Sequence, residues 1–275
     1  MSSISDQDYL LTSQYRTADN LKARIRLHEL YSTNRYGWYR WVLDHVDLPE
    51  RARVLEVGCG PGTLWVENLA RLPEGWEVTL TDLSPGMVEE ARGNLEGSGR
   101  GFSFRQADAM SLPYPDGSFD AVFSMYMLYH VPDRAKALSE MRRVLKPDGK
   151  AYIATLGRTH MYEMFELLNR FDPEAAARLP FGPASPDSGE HRLGFVLENG
   201  GEEIARHFSR VELLRYEDSL EVTEAGPLVD YVLSSSGPVF SEDEARALGE
   251  YVQGELEKVG VIRIRKDSGL FVARG

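Results

Sequence analysis

Cysteine is almost missing from this chain. A single one, Cys59, occurs in 275 residues, so no disulfide can close within it and no cysteine-rich metal site can form. Chemistry that needs several thiols is excluded with it. Positive charge is also short: 31 Lys and Arg against 43 Asp and Glu leave a formal net charge of -12. That balance gives no basic footprint for a nucleic-acid backbone, which points to small molecules as partners. No run of apolar residues approaches the roughly 20 that cross a bilayer, and Met1 to Asp8 is polar and acidic, unlike a secretory leader. These absences predict a soluble, cytoplasmic protein without nucleic-acid or membrane contacts, a monomer or a homodimer. The remaining composition, 42% hydrophobic and 27% charged, is that of an ordinary globular chain, long enough for one large domain with an insertion or for two small ones.

Against that background one stretch organises the rest. Val54-Leu55-Glu56-Val57 reads as a short buried strand that runs into the turn Gly58-Cys59-Gly60-Pro61-Gly62-Thr63, with a helix opening behind it. Glycines at alternate positions let the backbone turn sharply and approach a ligand closely. Glu56 stands just before the turn, which suits a ligand with a sugar to hydrogen-bond and a cationic amine to neutralise. The dinucleotide fingerprint G-x-G-x-x-G is not met: counted from Gly58 its last place holds Thr63, and counted from Gly60 it holds Trp65.

Before this turn, Ala18 to Tyr31 has apolar residues at helical spacing (Leu21, Ile25, Leu27, Leu30), while Met1 to Thr17 reads as frayed. A second helix is expected through Trp38, Trp41, Val42 and His45. Three Tyr and two Trp fall between Tyr31 and Trp41. They suit either an aromatic stripe buried on the main sheet or a lid whose rings attract a sulfonium or ammonium group. Between residues 52 and 155 strands alternate with helices: Arg53–Val57, Glu77–Thr81, Phe102–Gln106, Phe119–Ser124 and Lys150–Thr155 as strands, Leu64–Arg71, Pro85–Glu96 and Arg134–Leu145 as helices. Apolar strands separated by amphipathic helices predict an α/β fold, a doubly wound and mostly parallel sheet covered on both faces. Beyond it come a helix at Thr159–Arg170, a loop at Leu179–Glu190 rich in Pro, Gly, Ser and Asp, and a helix near Leu197–Phe208. A strand at Arg210–Tyr216 and helices at Ala225–Ser234 and Ser241–Val259 follow. The chain is expected to close with a β-hairpin, Val261–Arg265 turning through Lys266-Asp267-Ser268-Gly269 into Leu270–Ala273. The organisation expected is a helical lid over 1–50, a core over 51–156, a helical and loop cap over 157–207, and strands and helices completing the sheet over 208–275.

In such sheets ligands bind beyond the carboxyl ends of the strands. The first ends at Glu56, the second at Thr81-Asp82-Leu83, the third at Ala107-Asp108-Ala109 and the fourth at Ser124-Met125. Asp82, about 20 residues past the glycines, stands where an acidic side chain accepts ribose hydroxyls. Asp108 can reach an exocyclic adenine amine. With E-x-G-x-G-x-G at residues 56–62, L-P-Y-P-D-G-S-F-D at 112–120, H-V-P-D at 130–133 and L-K-P-D-G at 145–149, the segment Arg53 to Thr155 resembles the class I S-adenosylmethionine-dependent methyltransferases, in the branch of ubiquinone and menaquinone biosynthesis. The resemblance implies a seven-stranded sheet with an antiparallel last strand, and S-adenosylmethionine as cofactor. It places Glu56, Gly58, Cys59 and Gly60 at the methionine moiety, and Asp82 at the ribose with Leu83 beside the adenine. Asp108 and Ala109 fall at the adenine edge, and Ser124 and Met125 at the sulfonium.

Methyl transfer needs alignment and exclusion of water more than acid–base chemistry, and a base only where the acceptor is protonated. His130 is the best-placed histidine for that task, or a residue at a helix N-terminus bonded locally. Tyr129 and Tyr126 either orient an acceptor or pack. Three patterns are absent: an N/D-P-P-Y/F motif after the fourth strand, a Pro-Cys nucleophile, and an Asp, Asn or His cluster for a metal. The expected reaction is therefore methylation of O or N on a small, partly apolar acceptor under a lid formed by residues 9–45 and 157–207. Two other readings stay open: a non-catalytic S-adenosylmethionine-binding protein, and an NAD-dependent oxidoreductase.

Overall fold

A computed structural model describes residues 5–16, 19–179, 182, 192–236 and 240–275. A short helix, α1 (Gln7–Tyr9), runs into a π-helical turn at Leu10–Gln14 and is followed by α2 (Asp19–Tyr31) and α3 (Trp38–Asp44). The core then alternates β1 (Arg51–Val57), α4 (Thr63–Asn68), β2 (Gly75–Asp82), α5 (Pro85–Leu95), β3 (Gly101–Gln106), β4 (Phe119–Met125), α6 (Arg134–Val144) and β5 (Leu145–Leu156). After it come α7 (Tyr162–Phe171), α8 (Pro173–Arg178), α9 (Leu197–Ile204), β6 (Arg210–Val222), α10 (Ala225–Ser236), α11 (Glu242–Val259) and β7 (Ile262–Arg274).

The seven strands form one sheet in the order β3-β2-β1-β4-β5-β7-β6. Neighbours from β3 to β5 are parallel, and β7 runs antiparallel to both β5 and β6. The α/β sheet and its antiparallel last strand follow the sequence reading. Strand alternation explains the layering. Leu55 and Val57 of β1 join Val122, Ile153, Leu138 and Phe195 on one face, while Ala52 and Val54 join Trp65, Leu80, Leu95 and Phe123 on the other. A third apolar cluster unites α2, α7, α10 and α11 with the far ends of β6 and β7, through Leu27, Met164, Leu228, Val252 and Ile264.

Helix starts agree with local chemistry. Ser84 caps α5, accepting from Met87 N at 3.4 Å with Pro85 at the first helical position. Asp133 caps α6, and Ser241 with Glu244 forms a capping box on α11.

Five expectations are corrected. The closing segment is no hairpin: β7 is one strand of 13 residues, paired along its length with β6 from Arg210↔Arg274 to Val222↔Ile262. Gly269 is there for close packing, not for a turn, because a Cβ on it would sit 2.9 Å from Leu214 O. The same pairing extends β6 six residues past Tyr216. Residues 5–16 of the segment read as frayed are structured and bury Leu10. The helix expected near Leu197–Phe208 stops at Ile204, and α7 begins at Tyr162 because Met161 adopts a left-handed φ of 58°. The sequence reading also lacked α8, whose cap Asp172 accepts from Glu174 N and Ala175 N. Most of the expected Leu179–Glu190 loop lies outside the described residues.

Candidate active site

A cavity of about 700 Å³ opens at the carboxyl ends of the central strands. Its floor is the turn after β1 and the first residues after β2, β3 and β4. Its walls come from residues 7–15, from α2, from the start of α3, and from α7 and α10.

The turn is shaped by backbone that only glycine adopts without cost: φ is 70° at Gly58 and 53° at Gly60. A Cβ on Gly58 would lie 2.2 Å from Met127 Cγ, so a side chain there would displace the segment after β4. Asp82 braces the turn from the next strand. Its Oδ2 accepts from Gly60 N at 2.9 Å and its Oδ1 from Ser84 N at 2.8 Å. Burial pushes its carboxyl up, against those backbone hydrogen bonds. Glu56 is 2% exposed and lines the same cavity. Trp65 Nε1 donates to its Oε2 at 2.5 Å, yet burial outweighs that bond and pushes the carboxyl up to about 8. Cys59 is buried, and burial likewise raises its thiol well above the usual range. Asp108 Oδ1 accepts from Met110 N at 2.8 Å in a tight turn after β3.

Opposite this acidic floor the cavity is aromatic. Trp38 stacks on Trp41 with centroids 5.3 Å apart and meets Tyr126 at 5.4 Å. Tyr126 and Met161, the non-glycine residues with positive φ among those described, both line the cavity. Such strained backbone gathers where a site over-determines it. His130 Nε2 pairs with Tyr15 OH at 2.9 Å, and its ring meets that of Tyr129 edge-on at 4.6 Å. The segment carrying Tyr15 is held in turn by Ser84 Oγ, which donates to Tyr15 O at 2.8 Å.

Residues 55–153 match the sequence profile of a methyltransferase domain. A ubiquinone biosynthesis O-methyltransferase of Xanthomonas axonopodis pv. citri is 45% identical over 112 residues, 40% of this chain and 46% of that protein. A ubiquinone/menaquinone biosynthesis C-methyltransferase of Pectobacterium carotovorum is 30% identical over 157 residues, 56% of this chain and 62% of that protein. This chain thus spans about half to three-fifths of the curated relatives it matches. Among solved structures, phosphoethanolamine N-methyltransferase 2 of Haemonchus contortus, in complex with S-adenosyl-L-methionine, aligns with all of this chain and 60% of its own. That alignment has a TM-score of 0.57 at 20% identity, a likeness of fold.

Residues 55–153 are a methyltransferase domain. Within this domain the cavity brings together Glu56, Gly58, Cys59, Gly60, Asp82, Leu83, Asp108, Ala109, Met125, Tyr129 and His130, all named from sequence. Ser124 is the exception. It is fully buried, does not line the cavity, and its Oγ has no hydrogen-bond partner among the described residues. Alternation along β4 sends Ser124 and Met125 to opposite faces, so only Met125 reaches the site.

Sequence reasoning also missed wall residues from outside the methyltransferase domain: Tyr15, Arg24, His28 and Tyr231. Arg24 and His28 carried a usable signal, since with Leu21 and Ile25 they share one face of α2. Tyr231, on a distant helix, had none. Among the described residues no three His, Cys, Asp or Glu side chains gather as a metal site, and no helix is long and apolar enough to cross a membrane.

Proposed function

We propose that this chain is an S-adenosylmethionine-dependent methyltransferase that methylates O or N of a small, partly apolar acceptor. One observation carries the reading: Glu56, Asp82 and Asp108, from three consecutive strand ends, meet the glycine turn in one cavity. The residues fit the cofactor. Glu56 would neutralise its ammonium, Asp82 its ribose hydroxyls, and Asp108 with Ala109 the adenine edge, while Gly58, Cys59 and Gly60 leave room for the methionine part. S-adenosylmethionine held there would supply an activated methyl group on its sulfonium.

The remaining work belongs to the chain. The rings of Trp38, Tyr39 and Tyr126 exclude water and favour a positive sulfur. His130, held by Tyr15, would take the proton from a hydroxyl acceptor, with Tyr129 beside it. Residues 1–50 and 157–207 would act as lid and cap over the core of residues 51–156, and the strands and helices of residues 208–275 would complete the sheet. Their contribution to the cavity walls supports that division. The one cysteine in the chain suits a reducing cytoplasm, and the net charge of -12 favours a small molecule over nucleic acid as partner.

Calorimetric titration with S-adenosylhomocysteine and with NAD tests the cofactor. The first should bind and the second should not, and Asp82→Ala should weaken binding at least about tenfold, as the loss of hydrogen bonds to a charged group does. NAD binding, or no binding of either, would sink the reading. With a deuteromethyl-labelled donor and a metabolite extract, a labelled small acceptor should appear. If that acceptor is a hydroxyl, His130→Ala should slow turnover by about 10²–10⁴.

A further inference from the structure

The cavity wall holds a cation that no carboxylate among the described residues balances. Arg24 projects from α2, where its Nε donates to Asn20 O at 3.2 Å and its Cζ lies 5.6 Å from the centroid of the Tyr15 ring. Its Nη2 is buried and has no hydrogen-bond partner among the described residues. No Asp or Glu among them pairs with it, although Glu56, Glu67, Asp82 and Asp108 line the same cavity. The groups that surround it are the hydroxyls of Tyr15, Tyr129 and Tyr231. One helical turn on, His28 Nδ1 is also buried without a partner among the described residues, its ring 5.7 Å from that of Tyr231.

Two other sheltered cations of this chain have carboxylate partners. Lys266 is paired with Asp218, and Arg134 meets Glu203 through two nitrogens at 2.8 and 3.1 Å. A half-buried guanidinium with one nitrogen sheltered and unbonded is costly to leave without a counter-charge, which points to one that arrives with the ligand.

We propose that the acceptor is a small organic carboxylate, and that Arg24 binds its carboxylate with hydroxyl groups of Tyr15, Tyr129 and Tyr231 as neighbouring donors. This rests on the methyltransferase reading above. Three features define the class. The planar guanidinium fork matches a carboxylate. Among the described cavity residues Arg24 is the one sheltered cation without an ion pair, since Lys266 is committed to Asp218 and Arg35 is exposed to water, so the inner wall offers a counter-charge for one negative charge rather than the two of a phosphate monoester. The aromatic walls suit an apolar or aromatic body behind the anion. The methionine part of the cofactor also ends in a carboxylate. However, α2 meets the glycine turn through Leu21, whose Cδ2 lies 3.6 Å from the Cβ position of Gly60. Arg24, one turn later, faces residues that follow β4 and residues of α10 instead.

Benzoate, with its uncharged isostere benzamide, probes this site by calorimetry on the full chain saturated with S-adenosylhomocysteine. Benzoate should bind at least about tenfold tighter than benzamide, and Arg24→Gln should remove that preference. Arg24→Lys should keep part of it, and both variants should bind S-adenosylhomocysteine within about twofold of the parent, which also shows that they fold. Equal binding of benzoate and benzamide, or benzoate binding unchanged in Arg24→Gln, overturns the proposal. So does a tenfold loss of S-adenosylhomocysteine affinity in Arg24→Gln, which would assign the guanidinium to the cofactor's own carboxylate. Failure of the parent chain to bind S-adenosylhomocysteine, with benzoate binding still dependent on Arg24, would reject the methyltransferase reading while leaving the anion site standing.

Discussion

Glu56 shows how one position couples fold and chemistry at the scale of a residue. It ends a buried strand, is 2% exposed, and accepts from Trp65 Nε1. Burial holds its carboxyl at about 8, so near pH 7 the unliganded protein keeps it mostly protonated. A ligand ammonium beside it reverses that preference and favours the carboxylate. Binding of S-adenosylhomocysteine at pH 7 should therefore release between about half a proton and one, with affinity rising as pH approaches 8. Calorimetry in two buffers of different ionisation enthalpy measures this, and Glu56→Gln should abolish the release. Proton uptake, or no exchange, would contradict it. The same shift has a sign for stability. The folded carboxyl lies above the unfolded value of about 4.3, so its favourable contribution is complete below that pH and is lost as pH rises through about 8. In the unliganded protein Glu56→Gln should accordingly gain stability relative to the parent as pH rises from 5 to 8.

At the scale of an element, the join between the N-terminal helices and the sheet depends on Asp218 of β6. Its side chain is fully buried, and that of Lys266 on β7 is 10% exposed. Asp218 accepts from Lys266 Nζ at 2.5 Å, from Ser32 Oγ at 2.5 Å and from Asn34 N at 2.9 Å. It thereby fixes the chain between α2 and α3, just before the Trp38 that walls the cavity. Burial alone would raise this carboxyl, but the hydrogen bonds from Lys266 and Ser32 and the charge of Lys266 hold it below its ordinary range. Asp218→Ala leaves Lys266 sheltered and unpaired, and should cost about 3–5 kcal/mol in urea unfolding near pH 7. The parent's advantage should shrink as pH falls through the depressed folded value, since protonation removes the same bonds. A loss under about 1 kcal/mol would show that this bond network is not what holds the join.

At the scale of the molecule, β7 is the element on which closure depends. It is threaded between β5 and β6 and pairs with seven residues of the one and thirteen of the other. A chain ending at Gly260 would lose both ladders, leave β6 without a neighbour and open the edge of β5. Such a truncation should yield aggregated protein that fails to bind S-adenosylhomocysteine. A monomeric, folded product in size-exclusion chromatography and circular dichroism would refute this. The third apolar cluster sets the same requirement, because α2, α7, α10 and α11 pack against the outer ends of β6 and β7 and carry Arg24 and Tyr231 into the cavity wall.

The sequence by itself determined the core from Arg51 to Leu156 and the acidic and glycine residues of its strand ends. Local rules govern those positions: apolar runs of strand length, caps such as Ser84-Pro85 and Asp133, and turns that demand positive φ at Gly58 and Gly60. Alternation along β4, applied strictly, would also have set Ser124 aside in favour of Met125. Only the tertiary structure decided the rest. Lys266-Asp267-Ser268-Gly269 has the composition of a turn, but pairing with β6 keeps it extended, since thirteen paired residues outweigh a local preference. Tyr15, Arg24, His28 and Tyr231 meet only because three separate segments fold over one cavity. Contacts between residues some 200 positions apart in sequence leave no mark in any local pattern, and they are the contacts that surround the Arg24 guanidinium.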